Sequence, residues 1–150
     1  MSPTNFLTRI ETARSGTNPT IICRVPSGWV ALADMQYLRG YCILLADPVV
    51  DSINALDLDA RARFMTDMSI VGDALLQVTD SFRINYGMLS NADPYLHAHI
   101  IPRYRDEPEE IRRHLPWSYS KEHMASNPID LERDRDLMVD LKQAIERLIE

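Results

Sequence analysis

The chain has 150 residues, of which 45% are hydrophobic, and this size and apolar content predict a single compact domain with a sizeable core. A net charge of −6 and a pI near 5.2 argue against a broad basic face that grips nucleic acid, although a few well-placed groups suffice for a small nucleotide. No apolar run approaches the length of a membrane span and the N-terminus lacks a signal-peptide layout, so we expect a cytoplasmic protein with no membrane or nucleic-acid partner.

An amphipathic helix is predicted over residues 1–15. Phe6 and Ile10 lie one helical turn apart and can share an apolar stripe. Thr4 and Asn5 are both suitable N-caps for this helix.

Three strands are predicted next, over residues 20–25, 29–34 and 41–46. The first is rich in β-branched residues and the third is a short apolar run typical of a buried strand. Residues 26–28, Pro-Ser-Gly, predict a tight turn that joins the first two strands as a hairpin. The two cysteines lie in the first and third strands, where we expect reduced core thiols and no disulfide.

A long helix is predicted over residues 59–79, because apolar residues recur three and four apart along one stripe. Asp57 or Asp59 can cap it. Two further strands are predicted over residues 82–86 and 95–101.

Residues 105–127 predict an irregular excursion over the surface, because they are polar, charged and interrupted by prolines. Trp117 is large enough to anchor this excursion, whereas His114 and His123 are expected to be solvated. Asn127 followed by a proline predicts the start of a C-terminal helix over residues 128–150.

The order of these elements predicts one α+β domain, residues 1–150, with a five-stranded, mainly antiparallel sheet. The long helix lies between strands three and four, and a helix ends the chain. The sequence shows no internal repeat.

His97 and His99 are two apart in the fifth strand, so their side chains share one face with Tyr95, while Leu96 and Ala98 share the other. Such a pair is compatible with a structural role, a metal site or a nucleophile with a helper group. No further histidine or cysteine stands at a recognised metal-ligand spacing, so we predict no metal. Pro102, which has no N–H, is expected to end the regular pairing.

The segment from residue 84 to residue 104 carries the motif Asn-Tyr-x-x-Leu-x-Asn-x-x-Pro-x-Leu-His-x-His-x-x-Pro-Arg-Tyr. It resembles the signature of the histidine triad (HIT) superfamily of nucleotide hydrolases and transferases. It departs from that signature at Tyr95, where the first histidine of the triad is usual, and at Ser90, where glycine is usual.

This resemblance implies the HIT fold, a homodimer, and catalysis without a cofactor. His97 matches the nucleophile that attacks the α-phosphorus of a nucleoside 5′-phosphate derivative, and His99 matches a histidine that donates to a phosphate oxygen or the leaving group. The resemblance places Asp34 at the ribose hydroxyls, and Asn85, Asn91 and Tyr95 at the nucleotide. A main-chain carbonyl can hold the His97 tautomer whatever side chain replaces the first histidine.

Two interpretations therefore follow for this motif. The chain is either a hydrolase or nucleotidyl transferase acting on a dinucleoside polyphosphate or phosphoramidate, or a nucleotide-binding or sensor protein that has lost turnover with the first histidine. A metal protein using His97 and His99 is a weaker third interpretation.

Overall fold

The structure is a computed structural model that describes residues 5–150. Its helices are α1 (Phe6–Ser15), α2 (Leu58–Val78), α3 (Glu109–Arg112), α4 (Lys121–Met124) and α5 (Arg135–Ile149). Its strands are β1 (Ile21–Val25), β2 (Gly28–Leu32), β3 (Cys42–Ala46), β4 (Arg83–Gly87) and β5 (His97–Arg103). The strands form one sheet in the order β1-β2-β3-β5-β4, and each neighbouring pair is antiparallel. The predicted α+β class and five-stranded sheet are thus confirmed.

Side-chain caps define where α1 and α2 begin. The Asn5 side chain accepts a hydrogen bond from the Thr8 N–H, and the Asp57 side chain accepts one from the Ala60 N–H. Asn5 and Asp57 are therefore the caps among the predicted alternatives. Thr4 and the predicted first turn over residues 1–4 lie outside the described residues.

The main core lies on one face of the sheet, beneath α2 and α5. Phe64, Leu75, Leu141 and Ile145 from these helices pack with Ile100 and its neighbours on the sheet. Burial of such large side chains is the main favourable contribution to folding, at roughly 1.5–3 kcal/mol each. Both cysteines are buried and free, as predicted.

The opposite face of the sheet has two separate covers. Phe6 and Ile10 of α1 pack over Ala31 and Leu45, whereas the segment after β5 packs over Ile101 and its neighbours. The two histidines of β5 lie between these covers.

The segment over residues 105–127 is less irregular than predicted. It contains the single-turn helices α3 and α4 and a 3₁₀ turn at Pro116–Ser118. Trp117 anchors it, as predicted, because the indole lies against Gly87 and the His99 ring. His114 and His123 are exposed, also as predicted.

The predicted start of the C-terminal helix over 128–150 is wrong, because α5 begins later. The Asn127 side chain does not cap a helix but donates to the Gln36 carbonyl, and the Ile129 N–H donates to the Asp34 carbonyl. These contacts with the chain after β2 hold the segment that follows Asn127 in a non-helical conformation, so α5 begins only at Arg135.

The prediction that pairing ends at Pro102 is also wrong. β5 pairs with β3 only as far as Ile100, but it continues to pair with β4 through Arg103. Pro102 therefore lies where one side of β5 has no strand partner, and its missing N–H interrupts no ladder there. No helix within residues 5–150 combines the length and hydrophobicity that a membrane crossing requires.

Candidate active site

His97 is held by the main chain of Tyr95, which stands where the histidine triad signature has its first histidine. Its Nδ1 lies 2.7 Å from the Tyr95 carbonyl oxygen. A carbonyl can only accept, so Nδ1 carries the proton in this contact and the lone pair of the neutral ring is on Nε2. The expectation that a main-chain carbonyl can orient His97 is met in the structure.

Two neighbours fix the position of the Tyr95 carbonyl and ring. The Ser90 hydroxyl donates to the same carbonyl over 2.9 Å, and the Tyr95 ring stacks on Phe6 with centroids 5.3 Å apart. Ser90 adopts a φ of 53°, in the left-handed region that glycine tolerates best. This left-handed conformation explains why the HIT signature has glycine at the position of Ser90.

His99 is enclosed by aromatic side chains. Its Nδ1 lies 2.6 Å from the Tyr41 hydroxyl, and the edge of Trp117 meets its ring with centroids 5.5 Å apart. Burial, followed by the nearby His97, lowers the pKa of His99 to about 4. His99 is therefore a neutral imidazole at physiological pH.

Tyr41 is the hydrogen-bond partner of His99 Nδ1. Burial raises the pKa of the Tyr41 hydroxyl, which therefore stays protonated. A protonated hydroxyl has a proton to donate to His99 Nδ1. When Tyr41 donates, the N–H of His99 is on Nε2.

The two imidazoles lie side by side, with ring centroids 5.0 Å apart. They open into a pocket of about 400 Å³, here named the histidine pocket. Its lining residues are Leu89, Ser90, Asn91, Ala92, Asp93, His97, His99 and Trp117. Among the described residues, no lysine or arginine lines this pocket.

Three of the predicted site residues come together here. His97 and His99 form the floor, and Asn91 is exposed on the loop that forms one wall. Tyr95 acts on the pocket only through its carbonyl, which accepts from His97, because its ring is stacked on Phe6.

Asp34 and Asn85 lie elsewhere. Both carboxylate oxygens of Asp34 accept from the Arg9 guanidinium of α1, and Asp34 as a ribose ligand stays a prediction. Asn85 accepts from Arg103 and lines a different pocket.

No protein family model matches the sequence, and no curated protein matches it. Solved structures do match. A histidine triad protein from Bradyrhizobium japonicum is 24% identical, with 83% of this chain and 89% of that chain covered and a TM-score of 0.66. A histidine triad protein from Marinobacter aquaeolei is 19% identical, with 85% and 89% covered and a TM-score of 0.70.

A third match extends over nearly the whole chain. It is a hypothetical histidine triad nucleotide-binding protein from Sulfolobus tokodaii, 14% identical, with 94% of this chain and 93% of that chain covered and a TM-score of 0.70. The chain has the histidine triad fold.

His97 and His99 of the motif both lie on β5 of this fold. The strand alternation that puts His97 and His99 on one face is confirmed by their register, since they lie opposite Leu45 and Ile43 of β3. The described residues contain no group of three or more histidine, cysteine or acidic side chains arranged to hold a metal ion.

Sequence reasoning did not assign Tyr41, Phe6 or Ser90 to this site of the HIT fold. Tyr41 and Phe6 are distant in sequence from the motif and carry only the signals of core residues. Ser90 did carry a signal, because a departure from glycine inside a loop motif marks a position with special backbone requirements.

Proposed function

We propose that the protein is a HIT-type hydrolase or nucleotidyl transferase that cleaves at the α-phosphate of a nucleoside 5′-phosphate derivative. The observation that carries this proposal is the contact between His97 Nδ1 and the Tyr95 carbonyl. It leaves Nε2 of a neutral imidazole available as a nucleophile without the first triad histidine.

The first step forms a bond between His97 Nε2 and the α-phosphorus. The bond from phosphorus to the leaving group breaks, and the leaving group departs with that electron pair. The nucleotidyl-imidazole that results is cationic with a proton on Nδ1, and the Tyr95 carbonyl stabilises that charge. In the second step the oxygen of water or another acceptor attacks phosphorus and loses its proton to solvent, while the P–N bond breaks and its electron pair returns to Nε2.

His99 stabilises charge on the phosphoryl oxygens in this proposal. Its Nε2–H is aimed by Tyr41, and a well-placed donor to a developing oxyanion contributes roughly 10²–10³ in rate. Its lowered pKa makes it a neutral donor and a poor source of a full proton. This favours a leaving group that is stable as an anion, such as the polyphosphate part of a dinucleoside polyphosphate, over an amine.

The test is AMP release from diadenosine polyphosphates and from adenosine 5′-phosphoramidate, with wild type, His97→Ala and His123→Ala compared. His123 is an exposed histidine outside the histidine pocket, so its variant is the matched control. We expect release to fall to background only in His97→Ala. A radiolabelled adenylyl group should also be trapped on wild type after alkaline denaturation and be absent from His97→Ala.

Wild type that binds AMP but never releases it from these substrates would contradict the enzyme proposal. It would instead support the alternative of a nucleotide-binding or sensor protein. Equal release from wild type and His97→Ala would place the reaction elsewhere.

We also propose a homodimer. β4 is an edge strand, and within the described residues its outer side has no strand partner, which is a ready template for pairing with a second copy. Light scattering coupled to size-exclusion chromatography measures the mass directly, and a monomer at micromolar concentration would contradict this proposal.

A further inference from the structure

A second pocket, about 620 Å³ in volume, lies beside β4 and α3. We name it the arginine pocket, and its polar lining residues are Arg83, Asn85, Arg103, Arg112, Arg113 and His114. No aspartate or glutamate is among the described residues that line it. In a chain of net charge −6, this local excess of guanidinium groups is opposite in sign to the whole protein.

Arg103 is the fixed part of the arginine pocket. Its Nε donates to Glu107, and its Nη2 donates to Glu107 and to the Ile111 carbonyl. Its Nη1 donates to the Asn85 side chain and to the His114 carbonyl. These contacts use all the donor positions of a guanidinium. Arg103 therefore holds the pocket wall together and has none left for a ligand.

Arg103 also orients Asn85. Because the Asn85 Oδ1 accepts from Arg103 over 2.9 Å, the NH₂ end of that amide is the end left for the pocket. Asn85 thus presents two donors there and no acceptor.

Arg83 and Arg112 supply the available positive charge. Arg112 donates from Nη1 to the Arg105 carbonyl, and Arg83 lies over the Phe82 ring at 5.9 Å. Neither has a carboxylate partner within residues 5–150. Most of their N–H groups therefore remain for a ligand.

Arg113 adds a third, weaker cation. Its pair with Glu109 is 3.3 Å long and highly exposed, and such surface pairs contribute little and exchange readily with other anions.

From these contacts we propose that the arginine pocket binds a phosphate-bearing anion. Guanidinium forks and an amide NH₂ match phosphate oxygens, and charge-assisted hydrogen bonds of this kind are about twice as strong as neutral ones. The proposal does not depend on cleavage at His97. Trp117, packed on Gly87, lines the histidine pocket and not the arginine pocket.

The sheet register relates the two pockets. Asn85 lies two residues before Gly87 on β4, and Gly87 is opposite His99, so Asn85 and His99 are on one face of the sheet. The anion is therefore either the distal phosphate of a ligand that also reaches His97 or a separate small molecule. The shared chemistry is a phosphate group.

The experiment is calorimetric titration of the full chain with tripolyphosphate at low ionic strength. We expect saturable binding that weakens about tenfold or more in Arg83→Gln/Arg112→Gln, since the variant loses charge-assisted hydrogen bonds, which are about twice as strong as neutral ones. Arg135→Gln/Arg147→Gln removes the same charge from exposed positions of α5 on the opposite face, and we expect it to change affinity by less than about twofold.

Three results would overturn the proposal. They are no saturable binding to wild type, equal weakening in both double variants, and loss of binding in His97→Ala without loss in Arg83→Gln/Arg112→Gln. Binding of single-stranded oligonucleotide without binding of tripolyphosphate would likewise exclude a small phosphate ligand. Arg83→Lys/Arg112→Lys keeps the charge but loses the planar fork, and intermediate affinity from this variant would support phosphate recognition by guanidinium geometry.

Titration of His97→Ala with diadenosine polyphosphates and with AMP separates the two sources of phosphate. If adding Arg83→Gln/Arg112→Gln to His97→Ala weakens the binding of diadenosine polyphosphates but not of AMP, the arginine pocket holds the distal phosphates of the same molecule. If Arg83→Gln/Arg112→Gln abolishes tripolyphosphate binding but leaves binding of diadenosine polyphosphates and AMP unchanged, the pocket holds a separate anion. Either result supports the site.

Discussion

The burial of His99 predicts that acidification destabilises the protein. Burial lowers the pKa of His99 from 6.5 to about 4, so the unfolded chain takes up a proton at a pH where the folded chain does not. The stabilisation from the neutral ring is present above about pH 6.5 and is lost as the pH falls from about 6.5 to about 4.

The size of this effect follows from the shift. At 1.36 kcal/mol per pKa unit, the full pKa shift of His99 corresponds to about 3 kcal/mol in the free energy of unfolding. The part of it that is lost between about pH 7 and about pH 5 is about 2 kcal/mol. Because the His99 ring is only partly buried, we expect about 1–2 kcal/mol in this range. The hydrogen bond from Arg14 helps to lower the pKa of Asp47 to about 2. The stability that Asp47 contributes is therefore lost only at lower pH than that of His99.

The assay is urea unfolding at about pH 7 and about pH 5 for wild type, His99→Asn and His114→Asn. We expect the free energy of unfolding to fall by about 1–2 kcal/mol more in wild type and His114→Asn than in His99→Asn. Equal losses in all three proteins, or an NMR titration that puts the pKa of His99 at or above its ordinary value, would refute the reasoning.

Substitutions at three further positions test the geometry around the histidines and the packing of the sheet. Tyr41→Phe removes the partner of a buried ring nitrogen, so we expect about 1–3 kcal/mol of destabilisation in urea unfolding, and an unchanged His99 Nδ1 signal by ¹⁵N NMR would contradict the hydrogen bond to Tyr41. Ser90→Ala keeps the left-handed backbone and loses the hydrogen bond to Tyr95, whereas Ser90→Gly relieves the backbone, so the glycine variant should be the more stable by about 1 kcal/mol. Gly28→Ala would place a Cβ 1.9 Å from a main-chain carbonyl oxygen of β3, and we expect a loss of at least about 1–3 kcal/mol in thermal unfolding; wild-type stability in this variant would show that the hairpin is looser than described.

Much of the fold was predictable because it depends on local periodicity. The apolar spacing in α2 and the β-branched and apolar runs of the strands are signals within single elements. The start of α5 was not predictable in this way, since Asn127 and the proline after it have the local chemistry of a helix start. Contacts with the chain near Asp34, far away in sequence, decide that segment.

The candidate site, like the fold, was predictable from the sequence only in part. Alternation along one strand places His97 and His99 on one face, so the sequence could bring them together. It could not show that Asn85 faces the arginine pocket, because that depends on the hydrogen bonds of Arg103 with a loop beyond β5.

The sequence by itself thus determined the α+β architecture, the pairing of the two histidines and the resemblance to histidine triad proteins, all of which are carried by short-range patterns. Only the tertiary structure decided what surrounds the histidines. Tyr41, Phe6 and Trp117 reach the site from three separate elements, and the desolvation that keeps His99 neutral exists only when those elements pack together. Burial and long-range hydrogen bonds are properties of the folded chain, and they determine the protonation state of His99 and the orientation of the His97 ring.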